Sequence, residues 1–204
     1  TGKRIHWTGT RMFRVKNGKV TEGWINLDFL GLLQQLGVIP PMGGGHGNEA
    51  PEKKADAAST AENREAAIRR MYDETNKGNI DVLREILAPN FVSYGGAGFQ
   101  DLRGPEAFIG LYNTFVAAFP DLKFDVQQVV VGGDMAAVRG IQTGTHLGNF
   151  LGMVPATGKK VEWTGTAVFH FDEQGRIVER WQDLDNLSLF QQLGVIPAFG
   201  SAGG

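Results

Sequence analysis

The chain has no cysteine, which excludes disulfides, thiolate-ligated metals and thiol nucleophiles together. It has no apolar run near the roughly 20 residues that a membrane-crossing helix needs, so no membrane partner is expected. It also lacks a dominant charge: 20 Lys+Arg stand against 22 Asp+Glu, a net of −2, and nothing there points to nucleic acid. There is no phosphate-binding GxxxxGK[ST] loop, no dinucleotide fingerprint and no nucleophile elbow. No His or carboxylate group stands at metal-ligand spacing, and the lone His46 among glycines has no partner to bind a metal with. With no secretory signal pattern, a cytoplasmic location is the expectation.

What the chain does have is a long internal repeat. Residues 1 to 40 run TGKRIHWTGTRMF, NGKVTEGW and LDFLGLLQQLGVIP; residues 157 to 197 run TGKKVEWTGTAVF, QGRIVERW and LDNLSLFQQLGVIP. About 22 of some 40 positions are identical, with one extra residue in the second copy between Asp172 and Gly175. Repeats on this scale decide architecture. Residues 61–156 have no earlier counterpart, so the sequence divides into a partial repeat over 1–43, a linker over 44–60 and a complete domain over 61–199. The partial repeat is expected to be the C-terminal part of a tandem domain, or else a rearranged copy that completes a neighbour by strand pairing. Its basic balance of six Lys/Arg against Glu22 and Asp28, before an acidic remainder, suits docking on the domain.

Periodicity within the complete domain places helices first and strands afterwards. Ser59 and Glu62 have capping-box spacing, and Ile68, Met71, Tyr72 and Thr75 recur at helical spacing. A short helix is expected through Ile80, Leu83 and Ile86, ended by Pro89, and then a strand over 90–94. Pro105 opens a helix whose stripe is Phe108, Leu111, Tyr112 and Phe115. The period then changes to two: strands are expected over 122–131, 135–146, 160–171 and 176–184, with Asp185 capping a last helix. This is an α+β fold with helices on one face of an antiparallel sheet. Residues 1–40 supply one hairpin and one short helix, too little to stand alone in water.

The segments GPEAFIGLYNTFVAAFPDL, GTHLGNFLGMVPATGKKVEWTG, GRIVERW and DNLSLFQQLG, in that order, resemble the SnoaL-like polyketide cyclase (ester cyclase) family of the nuclear transport factor 2-like superfamily. The resemblance implies a cystatin-like cone, a curved sheet wrapped by helices, with an apolar pocket for a small carbonyl-bearing molecule. It implies cofactor-free cyclase or isomerase chemistry, with neither metal nor cofactor. It also implies a homodimer, or a pseudo-dimer with the partial repeat, through the sheet face. The alternative is a non-catalytic ligand-binding or dimerisation module.

In the resemblance, the aspartate that exchanges a proton with the substrate falls on Gln182, and on Ile25 in the first copy. An assisting histidine falls on Ala167, and on Arg11 in the first copy. Glutamine cannot exchange a proton near pH 7. Asp183 is the nearest carboxylate. It is either a pocket acid, if the strand slips by one residue, or an interface carboxylate. Trp163 is the expected pocket wall, beside the small residues Gly165 and Ala167. Arg139, in an apolar strand, is expected either to pair with Asp183 or Glu179 or to bind a substrate carboxylate. His146 resembles a recurrent family position at the end of the sheet, and Tyr72, Tyr94 and Tyr112 are candidates to reach into the cone. Asp28 and Asp185 read as helix caps.

Overall fold

The computed structural model describes residues 2–40, 60–95 and 100–198. The segment expected as linker, with Ser59 and His46, lies almost wholly outside them. Among these residues five helices and eight strands follow one another as β1 Gly9–Lys16, β2 Lys19–Leu27, α1 Phe29–Leu36, α2 Ala61–Asn76, α3 Val82–Ile86, β3 Leu87–Tyr94, β4 Leu102–Arg103, α4 Pro105–Ala118, β5 Lys123–Gly132, β6 Met135–Thr145, β7 Lys160–Phe171, β8 Ile177–Leu184 and α5 Asn186–Leu193. No helix among the described residues is long and apolar enough to cross a membrane.

The fold class is α+β, with helices α2, α3 and α4 over the inner face of a six-stranded sheet ordered β4-β3-β8-β7-β6-β5. The sheet is mixed rather than wholly antiparallel, because β3 runs parallel to β8. β3 begins three residues before its expected start, and its register with β8 shifts between Leu87 and Val92. Pro89 lies in that irregular stretch, where a residue with no N–H to donate is tolerated. Thr60, not Ser59, caps α2: its hydroxyl accepts from the Asn63 N–H at 3.2 Å. The buried stripe of α2 is Arg64, Ile68, Met71 and Thr75, the spacing of one helix face.

Two hydrophobic cores result. The first joins Ile68, Met71, Leu83 and Ile109 to Val138, Ala167, Phe169, Phe171 and Ile177 on the inner sheet face. The second gathers Phe119, Phe150, Val161, Trp163, Leu189, Phe190 and Leu193 at the other end, and Leu30 of α1 enters it. Gly140 lets β5 close on the first core: a Cβ there would sit 2.3 Å from the Phe124 ring and 2.7 Å from the Asp125 carbonyl oxygen.

The two repeats fold alike down to single bonds. Asp28 accepts from the Gly31 N–H and Asp185 from the Ser188 N–H, each capping its helix. Gln35 is bonded both ways to the His6 backbone, and Gln192 both ways to that of Glu162. Gly37 and Gly194 end α1 and α5 with φ of 79° and 86°, a conformation that glycine reaches at low cost. The extra residue of the second repeat is taken up in the turn. The first hairpin turns on Asn17-Gly18, both at positive φ, as a two-residue loop requires. The second turns through Glu173, Gln174 and Gly175, closed by the Asp172 N–H to the Arg176 carbonyl at 2.8 Å. Each hairpin then carries one bulged residue, Thr21 or Val178, at the equivalent place. Register beyond the bulge is therefore the same in both.

β1, β2 and α1 lie against the outer face of β7, β8 and helix α5. Two sets of bonds hold this contact. Thr8, at 3.2 Å, and Thr10 donate hydroxyls to the Asp183 carboxylate. The Asn26 carboxamide meets the hydroxyls of Thr164 and Thr166 at 3.2 and 2.8 Å. Asn26 is the counterpart of Asp183, and Thr164 and Thr166 are the counterparts of Thr8 and Thr10. The contact is thus reciprocal, as in an isologous two-fold interface. Arg139 belongs to it too. It stands on the outer face with its guanidinium 5.7 Å from the Trp24 ring centre, and it pairs with neither Asp183 nor Glu179.

Burial raises the Asp183 pKa above 3.8, more than the two Thr bonds lower it. The folded state therefore holds this proton more tightly, and stability falls as pH climbs from about 3.8 through the raised value. Asp183→Asn, the residue its counterpart already is, keeps an acceptor without the charge. Chemical denaturation of this variant is expected to show equal or higher stability at pH 7 and a flatter pH dependence. Asp183→Ala leaves Thr8 and Thr10 without their acceptor and is expected to lose about 1–2 kcal/mol.

Candidate functional site

Alternation along β8 decides which side chains enter the cone. Arg180, Gln182 and Leu184 face inward, toward α2 and α4, and line a cavity open to solvent. Glu179, Trp181 and Asp183 face outward, where the Tyr94 hydroxyl reaches Glu179 and its ring stacks on Trp181. Placing Asp183 inside would need a one-residue slip of β8, and the longer turn removes the need for one.

The cavity opens where the two cores meet. Its walls are Met71, Leu83, Phe108, Leu111, Phe115, Leu122 and Phe124, and its polar atoms come from Tyr72, Thr75, Asn76, Tyr112, Gln142, Arg180 and Gln182. No carboxylate or imidazole is among these lining residues. Asn76 is occupied, bonded both ways to the Phe124 backbone. Tyr112 donates its hydroxyl to the Thr75 carbonyl at 3.1 Å. Tyr72 stacks on Phe124 with ring centres 4.0 Å apart, and burial pushes its pKa up to about 12. It is a phenol, and hence a hydrogen-bond donor, throughout the neutral range. Gln142 is buried, and its Nε2 has no partner among the described residues.

The dominant feature is Arg180. It is 8% exposed. One guanidinium nitrogen donates to the Ser93 hydroxyl at 3.0 Å, and the group lies 4.8 Å from the centre of the Phe108 ring. Among the described residues no carboxylate pairs with it. Burial presses its pKa below the ordinary arginine value, and only the nearby Tyr72 opposes this; an arginine remains a cation all the same. A buried charge with one neutral acceptor is an expensive arrangement, normally compensated by an anion.

A smaller cleft adjoins the cavity and shares Leu111, Phe115, Gln182 and Leu184 with it. Asp28 and Asp183 line this cleft, but the first caps α1 and the second receives the two threonine hydroxyls.

Of the residues singled out from sequence, the structure brings Gln182, Tyr72 and Tyr112 together in the cavity, while Tyr94 lies outside it against Glu179 and Trp181. Trp163 faces inward but is sealed in the second core, its ring 5.6 Å from Phe119, because Phe119 and the second-core side chains fill the space beside it. His146 is fully buried in the same region. Its Nδ1 accepts from the Thr157 N–H at 3.3 Å and meets the Thr157 hydroxyl at 3.0 Å, and burial lowers its pKa. It is therefore a neutral structural imidazole away from the cavity wall. Arg139 faces the hairpin. Arg180 and Gln142 are what sequence reasoning missed. The signal was available for the first: Arg180 has the same parity as Gln182, and the first hairpin forms with Gly23 in its place.

Known proteins agree with this architecture. A family model described as SnoaL-like polyketide cyclase matches residues 66–193. Aklanonic acid methyl ester cyclase AcmA of Streptomyces galilaeus is 28% identical over 130 residues, 63% of this chain and 89% of the relative. Among solved structures, the SnoaL-like protein of Jannaschia sp. CCS1 superposes with a TM-score of 0.62 at 28% identity, over 71% of this chain and all of that one. IdmH of Streptomyces antibioticus does so with a TM-score of 0.56 at 33% identity, over 64% and 98%.

Arg180→Met has similar length and no charge. It is expected to leave the fold intact and raise the unfolding free energy by about 1–3 kcal/mol in urea denaturation, because an uncompensated buried charge is removed. A loss of that size would mean that the Ser93 bond outweighs desolvation.

Proposed function

The chain belongs to the SnoaL-like polyketide cyclase family, and from that premise we propose that its cavity binds the enol or enolate form of a small carbonyl-rich, polyketide-like molecule. The observation that carries this reading is the buried guanidinium of Arg180, which bonds Ser93 but has no carboxylate partner among the described residues, in a largely apolar chamber. An enolate oxygen set against it supplies the missing negative charge. The Tyr72 hydroxyl and the amides of Gln142 and Gln182 are further donors to neighbouring oxygens. Apolar walls strengthen these bonds by excluding water.

The arrangement favours stabilising an anion over making one. No lining side chain takes up a proton near pH 7. The position where the family resemblance puts a proton-exchanging aspartate carries Gln182, and the nearest carboxylate, Asp183, is held outside by Thr8 and Thr10. Suitable substrates are therefore β-dicarbonyl compounds, whose α-proton leaves to water or buffer without a strong enzymic base. Binding the enolate shifts the keto–enol equilibrium and presents a carbanion equivalent to a second carbonyl in the same molecule, the bond-forming step of a cyclisation. AcmA, a cyclase of aklanonic acid methyl ester by name, is in keeping with such a substrate class. Nothing in this chemistry calls for a metal or cofactor, and the lining donors are guanidinium, phenols and amides rather than metal ligands. A second reading, a binding module without turnover, rests on Gln182.

Calorimetric titration with a β-dicarbonyl probe, beside an isostere lacking the acidic α-proton, tests the binding. The acidic probe is expected to bind more tightly, and Arg180→Met to weaken it by roughly 10- to 100-fold, the value of a hydrogen bond to a charged group. Equal affinity in Arg180→Met overturns the reading. NMR of deuterium exchange at the probe's α-carbon separates enzyme from binder. Gln182→Asp is expected to speed that exchange and to lower anion affinity, by adding a base beside Arg180.

A further inference from the structure

We propose that β1, β2 and α1 form a docking surface for a half-domain built like residues 61–156, which would make this hairpin the last two strands of a second cone. The observation is an imbalance between the two repeats. Phe13, Val15 and Val20 are 56%, 58% and 62% exposed. Their counterparts Phe169, Phe171 and Ile177 lie in the first core, under Ile68, Met71, Val82 and Leu83. Trp7 and Ile5 are likewise exposed, whereas Trp163 and Val161 are buried. These side chains share one face of the hairpin, opposite the face that Thr10, Met12 and Asn26 press against the domain.

The edges tell the same story. Among the described residues β1 and β2 form a sheet of two strands. Their counterparts are paired on both outer edges, β7 with β6 along its length and β8 with β3. An apolar face with two open edges is an interaction surface or a liability to aggregate. The second repeat shows what satisfies both needs: helices over the face and a strand on each edge, all drawn from residues 61–145. A lone helix would cover the face and leave both edges open. The hairpin has kept the features that fit it for such a partner, including register, bulge, helix caps and the Gln35 tie.

The second cone would differ in chemistry. Gly23 stands where Arg180 does, and Ile25 where Gln182 does. Arg11 occupies the place of Ala167, across the strand pair from Ile25. The cation would move to the neighbouring strand, so the second chamber keeps a positive charge while losing the amide.

The test is a fusion in which residues 60–156 precede Thr1 of the full chain, so that the junction copies that between Ala156 and Thr157. A second version carries Arg11→Ala, restoring the small residue that Ala167 represents. Hydrogen exchange by mass spectrometry is read on peptides covering residues 9–27, with light scattering and fluorescence of a dye that binds apolar surface. At least one fusion is expected to be monomeric, with exchange slowed roughly tenfold or more and dye fluorescence reduced relative to the unfused chain. Unchanged exchange and dye binding in both fusions overturn the proposal. So does an unfused chain that is already dimeric with the hairpin protected, which would assign this face to a second copy.

Discussion

The register of β8 is the constraint on which the rest depends. A bulge at Val178 and a three-residue turn set its parity, and parity sends Arg180 and Gln182 inward and Trp181 and Asp183 outward. One residue more or fewer would exchange those sets. It would put a carboxylate in the cavity and strand a cation on the surface. The site's charge and the partner of the outer face are thus fixed by a single geometric choice. The same choice is made in the first hairpin, where the turn is one residue shorter and the bulge is kept.

A cation under helices and a carboxylate under a hairpin are both costly, and each cost is met differently. Asp183 has its hydroxyl donors within the chain, so its burial is structural. Arg180 has one neutral acceptor and an aromatic ring and no carboxylate among the described residues, which is why an anionic ligand is proposed to compensate its burial. That contrast supports an anion-binding cavity more directly than fold likeness, which many unrelated activities share.

Much of the fold was legible in the sequence. Alternation over 160–171 marked β7 to the residue, and Pro105 opened α4 as the ring geometry of proline requires. The parallel pairing of β3 with β8 was not legible, because it joins segments some 90 residues apart and leaves no local pattern. The extension of β3 back across Pro89 was missed for a related reason: proline reads as a stop, yet a register irregularity removes the need for its N–H. At the site, strand parity left Gln182 and Asp183 as alternatives for the inner face, and the helix stripe offered Tyr112 without orienting its hydroxyl. Trp163 could not be placed either, since two cores compete for the inner face of β7 and only packing tells which one receives it. Arg180 lay within a strand whose inner face was open between Gln182 and Asp183, and a charged residue next to Glu179 reads first as surface. The reciprocal Thr, Asn and Asp bonds became visible only when both repeats stood face to face.

The central claim is that Arg180 waits for an anion inside the cone. Proton–nitrogen NMR of the arginine side chains, with Arg180 assigned through Arg180→Met, tests this most directly. On saturation with a β-dicarbonyl ligand, the Arg180 guanidinium protons are expected to move downfield and exchange more slowly with water, while those of Arg139 stay in place. A ligand that binds and leaves the Arg180 signals unmoved would contradict the account.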